Sequence, residues 1–192
     1  MTETLERIKR SPNAPKAVLR FWFIESGKKK WFRGGPEFDD EIAARFSAHH
    51  QAAAAGLLEH WRASASAALA LILLLDQFSR NLFRNNARAF ACDPYARLVA
   101  QGAIGRRFDK IASEERRAFF YLPFMHSERL ADQDYSVRLF KATMAGSTNL
   151  PFAIEHRDIV ARFGRFPHRN DVLGRASRAK EIAYLKHGGF RG

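Results

Sequence analysis

With 192 residues, the chain is long enough for one domain with a sizeable hydrophobic core. Its single cysteine, Cys92, excludes an intrachain disulfide, and 46% hydrophobic residues with 17 phenylalanines argue against disorder. The net charge of +12 favours anionic partners, although a basic surface without a dedicated partner is the alternative. The longest apolar run, 67–75, is too short to cross a membrane and no signal peptide is visible, so we expect a soluble, cytoplasmic protein without a membrane partner.

The hydrophobic pattern has a helical period along most of the chain, without strand-like alternation of useful length. Residues 1–13 are expected to form a flexible leader, and residues 14–192 a single helical domain. Caps and breakers such as Asn13, Gly56, Asp93-Pro94 and Pro123 define the ends of its helices. Helices are predicted over 14–24, 39–55, 67–84, 94–104, 113–122, 130–144, 150–163 and 178–187. The predicted fold is therefore all-α, with about eight helices in antiparallel pairs, as a bundle or a helical-repeat stack.

The central predicted helix, Ala67 to Arg84, changes character abruptly. Its first half is apolar on all sides and should be buried. Its second half carries polar side chains on two adjoining stripes: Asp76, Gln77, Arg80, Asn81 and Arg84. Because unpaired buried charge is costly, these groups need partners. The segments 124–134 and 162–170 offer them, so we expect the three segments to meet and these five residues to contribute to ligand binding.

The segment RFGRFPHRN, residues 162–170, is dense in hydrogen-bond donors. Gly164 should end a helix, and Pro167 should stiffen the turn that follows. This turn presents Arg165, His168, Arg169 and Asn170. Arginine grips phosphate and carboxylate groups bidentately, so the turn is a candidate anion site. The alternative is that Arg165 and Arg169 bind Asp76, Glu128 or helix-end carbonyls and only stabilise the fold.

The segment 124–134 follows a proline, where side chains can converge. Its His126 and Glu128 could act as an acid–base pair, because imidazole titrates near neutrality and a carboxylate can orient it. A histidine satisfied within a hydrogen-bond network is the alternative. No short metal-ligand spacing is present, and the arginines would repel a cation, so no metal site is predicted.

A nucleic-acid site is an unlikely interpretation of the positive charge. Lys28, Lys29 and Lys30 stand beside Trp31 and Phe32, a combination that suits phosphate contacts and base stacking. However, the basic residues are dispersed along the chain, and both aromatics are expected to fold back onto the body of the protein as anchors.

Five ordered motifs cover nearly the whole chain: VLRFWF, WFRGGPEFDDEIAARF, LILLLDQFSRNLFR, FYLPFMHSE and RFGRFPHRNDVLGR. Together they resemble the bacterial domain-of-unknown-function family 924. The resemblance implies an all-α fold similar to tetratricopeptide-repeat proteins. It indicates neither an activity nor which cofactor, if any, the protein uses.

The sequence therefore leaves two main hypotheses. The first is a pocket for a small anionic ligand, either for binding alone or for catalysis with His126, Glu128 and His168. In the catalytic version, a histidine exchanges the proton, Glu128 or Asp76 orients it, and the arginines hold the anion. The alternative is a non-enzymatic helical scaffold for a peptide or protein partner.

Overall fold

A computed structural model of the chain describes residues 3–11 and 13–191, without the side chains of Phe32 and Arg33. Regular structure in this part is helical throughout, with no strand, which confirms the all-α prediction. The helices are α1 Glu3–Arg10, α2 Ala14–Arg20, α3 Lys28–Arg33, α4 Pro36–Ala54, α5 Ala65–Ile72, α6 Ser79–Leu82, α7 Asp93–Gly105, α8 Phe108–Ile111, α9 Glu114–Met125, α10 Leu130–Thr143, α11 Asn149–Phe163 and α12 Ala179–Lys186. Every predicted helix is present, and α1, α3 and α8 lie between or before them.

Two helices contain a wider π-helical turn. Phe21–Ser26 continues α2, and Leu73–Phe78 joins α5 to α6 into one central helix. Short 3₁₀ segments occur at Glu59–Ala63, Ala87–Phe90 and Pro167–Arg169. Residues 68–75 are buried, as the apolar first half of the central helix predicts, and burial continues over 76–79 into its polar half.

The helices gather in two compact units. The first unit comprises residues 1–84 and 88–123, and the second comprises 85–87 and 124–192. The expectation of a single domain over 14–192 stays a prediction. In the second unit, α10 and α11 pack along each other, and the short loop 144–148 connects them. This contact agrees with the predicted pairing of consecutive helices.

The first unit has an aromatic core in which the side chains of Trp22, Phe38 and Phe119 are almost completely buried. Trp31 stacks on Trp22, with ring centroids 6.0 Å apart, and its indole N–H donates to the Trp22 carbonyl at 2.8 Å. The prediction that Trp31 folds back as an anchor is confirmed. For Phe32 the same prediction lies outside the described side chains.

Two boundaries differ from the sequence-based expectations. Residues 3–10 form α1 rather than a flexible leader, because Leu5 and Ile8 share one face and are buried in the contact with α4. Helix α9 continues through Pro123 to Met125 instead of ending at the proline. Proline lacks a backbone N–H and so removes one helical hydrogen bond, but Pro123 lies in the last turn, where few residues of the helix follow it.

Candidate functional site

The polar half of the central helix begins inside its π-helical turn, Leu73–Phe78. This turn holds Asp76 and Gln77 in the interior, at 1% and 5% exposure. The Gln77 side-chain amide donates to the Asp76 carboxylate at 2.6 Å. Wide turns of this kind occur frequently at functional sites, so the segment is a candidate position for one.

Arg80 lies between two carboxylates of the first unit. Its Nη1 is 3.2 Å from Asp76 Oδ1, and its two Nη atoms donate to the two oxygens of Asp93 at 3.1 Å each. Burial disfavours the charge of Arg80, but Asp76 and Asp93 outweigh that cost and raise its pKa. The guanidinium is thus held in place by acids of α7 and of its own helix.

The next arginine of the central helix, Arg84, has a different partner. It donates to both oxygens of Asp39, at 2.6 and 2.9 Å, and the amide of Asn81 donates to the same carboxylate at 2.8 Å. Burial alone would raise the pKa of Asp39. These hydrogen bonds and the charge of Arg84 have the larger combined effect, so the pKa lies below its ordinary value. Asp39 lies in the first turn of α4, so this contact joins α4 to the end of the central helix.

The turn after α11 forms as the sequence predicts. Gly164 ends α11 in the left-handed conformation, with φ of 74°, and the segment Pro167–Arg169 follows as a short 3₁₀ turn. The buried ring of Phe166 lies at its centre, with the Arg169 guanidinium 4.4 Å from its centroid. Arg169 also donates to the carbonyl of His126 at 3.0 Å.

Glu128 binds this turn from the loop after α9. Its carboxylate accepts hydrogen bonds from Arg175 at 2.6 and 2.9 Å and from the backbone N–H of Phe166 at 2.8 Å. Burial raises the pKa of Glu128, but the Arg175 and Phe166 hydrogen bonds hold it below the usual value. Both carboxylate oxygens are therefore engaged.

Glu181, on α12, is completely buried and accepts four hydrogen bonds. Two come from Arg165, at 2.7 and 2.8 Å, one from the Asn170 amide at 3.1 Å and one from the backbone N–H of Arg178 at 2.7 Å. The Arg165 hydrogen bonds are the main cause of a pKa of about 2 for this carboxyl, against the cost of burial. The carboxylate fixes the turn against α12.

Two histidines of the second unit contact the same phenylalanine rings. The His156 ring lies 5.3 Å from that of Phe166 and 4.5 Å from that of Phe190, and the His168 ring lies 5.6 and 5.2 Å from these two. Burial lowers the pKa of His156 to about 3 and that of His168 to about 4, helped by the positive charge of Arg169. Both imidazoles are neutral at pH 7.

The structure thus places the predicted site residues in two groups. Those of the central helix belong to the first unit: Asp76, Gln77, Arg80, Asn81 and Arg84. The others belong to the second: His126, Glu128, Arg165, His168, Arg169 and Asn170. Segments 124–134 and 162–170 do meet, through Glu128 with Phe166 and His126 with Arg169. Their assignment as catalytic and ligand-binding residues stays a prediction.

Sequence reasoning did not select four acids and bases that complete these groups: Asp39, Asp93, Arg175 and Glu181. Asp39 and Asp93 stand at the starts of predicted helices, a common place for acids. Arg175 is the last residue of the motif RFGRFPHRNDVLGR. Glu181 is an isolated acid in a basic stretch, and this isolation is a sequence signal for an acid that pairs with a buried or nearby base.

Other candidate chemistries find little geometric support. Lys28 and Lys30 form ion pairs with Glu115 and Glu41, at 3.4 and 3.9 Å, and the Trp31 ring stacks inside the core rather than facing a base. Within residues 3–11 and 13–191, no three His, Cys, Asp or Glu side chains are grouped as metal ligands. No helix in the same part of the chain is long and apolar enough to span a membrane.

The fold is that of an all-α protein, with arginine–carboxylate pairs inside each of its two helical units. The chain belongs to the family of bacterial proteins of unknown function DUF924, which matches residues 18–189. It is similar to a solved structure of a protein of unknown function from Agrobacterium tumefaciens, with 45% sequence identity and a TM-score of 0.86. That match covers 91% of this chain and 97% of the other. No curated protein has significant similarity to the chain.

Proposed function

We propose that this cytoplasmic protein binds a small anionic ligand, a phosphate or a carboxylate, at the turn of residues 165–175 in its second unit. The observation that carries the proposal is the state of His168. Its ring is partly buried, and its Nδ1 is shielded from solvent without a hydrogen-bond partner among the described residues. Buried polar atoms without a partner are uncommon and call for an explanation.

The charge around His168 favours an anion. The guanidiniums of Arg169 and Arg175 both lower the pKa of His168, which means that they create a positive potential at its ring, and Glu128 offsets it only in part. A neutral imidazole donates one N–H, and a phosphate or carboxylate oxygen accepts such a bond well in this potential. The ligand would thus supply both the missing hydrogen-bond partner and the negative charge.

The geometry favours binding over turnover. Acid–base catalysis by His126, Glu128 and His168 needs a group that exchanges a proton near neutral pH. Both oxygens of Glu128 are engaged by Arg175 and Phe166, and His168 has a pKa of about 4. We therefore propose a binding protein in which these residues position the anion.

A scaffold for a peptide or protein partner is the alternative. Three large apolar side chains of the second unit are about half exposed: Leu130 at the start of α10, Phe152 on α11 and Ile182 on α12. Scattered exposed apolar residues are normal on soluble proteins, so they favour this alternative only if no small ligand binds.

The test is thermal unfolding of the full chain with sodium phosphate or acetate at pH 7, against sodium chloride of equal ionic strength. A ligand that binds the folded state with Kd of about 1 mM adds roughly 1.4 kcal/mol at 10 mM and raises the melting temperature by about 3 °C. We expect this rise in the wild type and its loss in His168→Leu. The matched control is His60→Leu, which removes an exposed histidine of the first unit and should respond like the wild type. Equal responses in all three proteins, or none, would contradict the proposal.

A further inference from the structure

We infer that the ligand of this site is an aromatic carboxylate, whose ring takes the place that Phe190 occupies in this structure. The inference rests on the proposed anion site and adds the chemical class of its ligand. It depends on how residues 188–191, which we call the C-terminal strap, lie against His156 and His168.

The strap provides the ring from a short non-helical segment after α12. The edge-to-face contacts of Phe190 join it to His156 at 4.5 Å and to His168 at 5.2 Å between ring centroids. Beyond the strap, the two imidazoles and Phe166 remain as a set of aromatic walls. A space that holds one six-membered ring edge-to-face with two neutral imidazoles suits another aromatic ring.

Among the described residues, three hydrogen bonds and the packing of one ring hold the strap in place. Its backbone donates twice to Tyr184, from Gly189 N–H to the carbonyl at 3.0 Å and from Phe190 N–H to the phenol oxygen at 2.9 Å. Gly189 allows this close approach, because a Cβ there would lie 2.5 Å from the Tyr184 ring. Arg191 donates to the Leu185 carbonyl at 2.7 Å, and Phe190 packs against the hydrophobic cluster that includes Phe166. None of the strap residues is fully buried, and segments of this kind open at lower cost than the core, so an external ring can compete with Phe190.

The charge of the turn favours a carboxylate on this ring. Phe166 contacts His168 on one side and carries the Arg169 guanidinium at 4.4 Å from its centroid. A carboxylate on a ring against His168 would therefore lie in the positive potential that Arg169 and Arg175 create at this histidine. Benzoate is the simplest probe with both features.

The experiment is calorimetric titration of the full chain with benzoate, cyclohexanecarboxylate and acetate. We expect benzoate to bind more tightly than the other two. Phe190→Ala removes the competing ring and should tighten benzoate binding about threefold to tenfold, with acetate affinity unchanged. Gly189→Ala keeps the ring but displaces the strap from Tyr184 and should act in the same direction. Phe152→Ala, at an exposed phenylalanine of the same unit, is the matched control.

The outcomes separate the two proposals. If acetate and phosphate bind through His168 but benzoate is no tighter than cyclohexanecarboxylate, the aromatic ligand is wrong and the anion site stands. If Phe190→Ala and Gly189→Ala leave benzoate binding unchanged or weaken it, Phe190 is a wall of the site and does not mark the ligand's position. If no anion binds the wild type or either strap variant, the proposed function itself fails.

Discussion

Glu128 accepts two hydrogen bonds from the guanidinium of Arg175, at 2.6 and 2.9 Å, and so ties the loop after α9 to the turn before α12. Each side chain is only about one-quarter exposed. Charge-assisted bidentate pairs of this kind are stronger than ordinary surface ion pairs. We therefore expect this ion pair to contribute strongly to the stability of the second unit.

Replacement of Glu128 should measure the contribution of this ion pair to the free energy of unfolding. We expect Glu128→Gln to lower the free energy of unfolding by about 2 kcal/mol, because the Arg175 guanidinium loses its charged partner. Urea denaturation of this variant, Arg175→Gln and the double variant gives the coupling energy, for which we expect about 1–2 kcal/mol. Arg138→Gln, at an exposed arginine of α10, should be neutral within about 0.5 kcal/mol. A coupling near zero would show that the pair is incidental.

Glu181 should make the second unit sensitive to strong acid. Its pKa is about 2 in the folded protein, below the ordinary value of 4.5, so the unfolded chain binds a proton first as the pH falls. Its contribution to stability is complete above pH 4.5 and is lost between pH 4.5 and about 2. Glu181→Gln should lower stability at pH 7 and flatten the loss over that interval, in urea denaturation at a series of pH values. If the stability of the variant falls with pH as steeply as that of the wild type between pH 4.5 and about 2, Glu181 does not cause the acid sensitivity.

The histidines should act over a higher pH interval. His50, His156 and His168 have pKa values of about 4, 3 and 4, mainly because burial disfavours their charged forms. Below pH 6.5, the unfolded chain binds protons that the folded protein does not, so stability falls as the pH falls toward 4. The expected slope is about 1 kcal/mol per pH unit for each histidine. Histidine proton shifts in NMR check this directly, since titration of these rings above pH 5 would contradict it.

Helix α1 gives a prediction about the first unit. Ile8 is 6% exposed in the contact with α4, so Ile8→Ala should cost about 2 kcal/mol in chemical denaturation. Thr4→Ala, at an exposed position of the same helix, should have little effect. If both variants unfold like the wild type, the segment behaves as the flexible leader that its polar composition first indicates.

Local patterns in the sequence predicted much of the fold. The apolar run through Leu75 and the acids, prolines and glycines at helix ends identify the main helices, because these signals act within a few residues. The partners of Arg80 and Arg84 were not predictable in this way. An arginine in a helix specifies that a carboxylate is needed, but Asp39, Asp93 and other acids satisfy that need equally until the packing of α4 and α7 selects among them.

The candidate site shows the same limit. The sequence predicts that segments 124–134 and 162–170 meet the central helix as partners for its charges. The two segments contact each other through Glu128 and Phe166, but Arg80 and Arg84 pair with Asp76, Asp93 and Asp39 of their own unit. The choice of Arg175 and Glu181 as partners depends on how α12 packs, which no short pattern encodes. The position of Phe190 likewise depends on the close approach of Gly189 to Tyr184. In the sequence, the pair Gly188-Gly189 predicts only the end of a helix.

The π-helical turn at Leu73–Phe78 means that the length of the central helix, and not only its composition, encodes its ion pairs. Such a turn holds one residue more than an α-helical turn, and each residue of an α-helix advances by about 100° around the axis. If these six residues formed ordinary α-helix instead, Ser79–Leu82 would rotate by about that angle. Arg80 would then point away from Asp93 although no charged residue had been altered. The ion pairs of Arg80 therefore depend on the wide turn being kept.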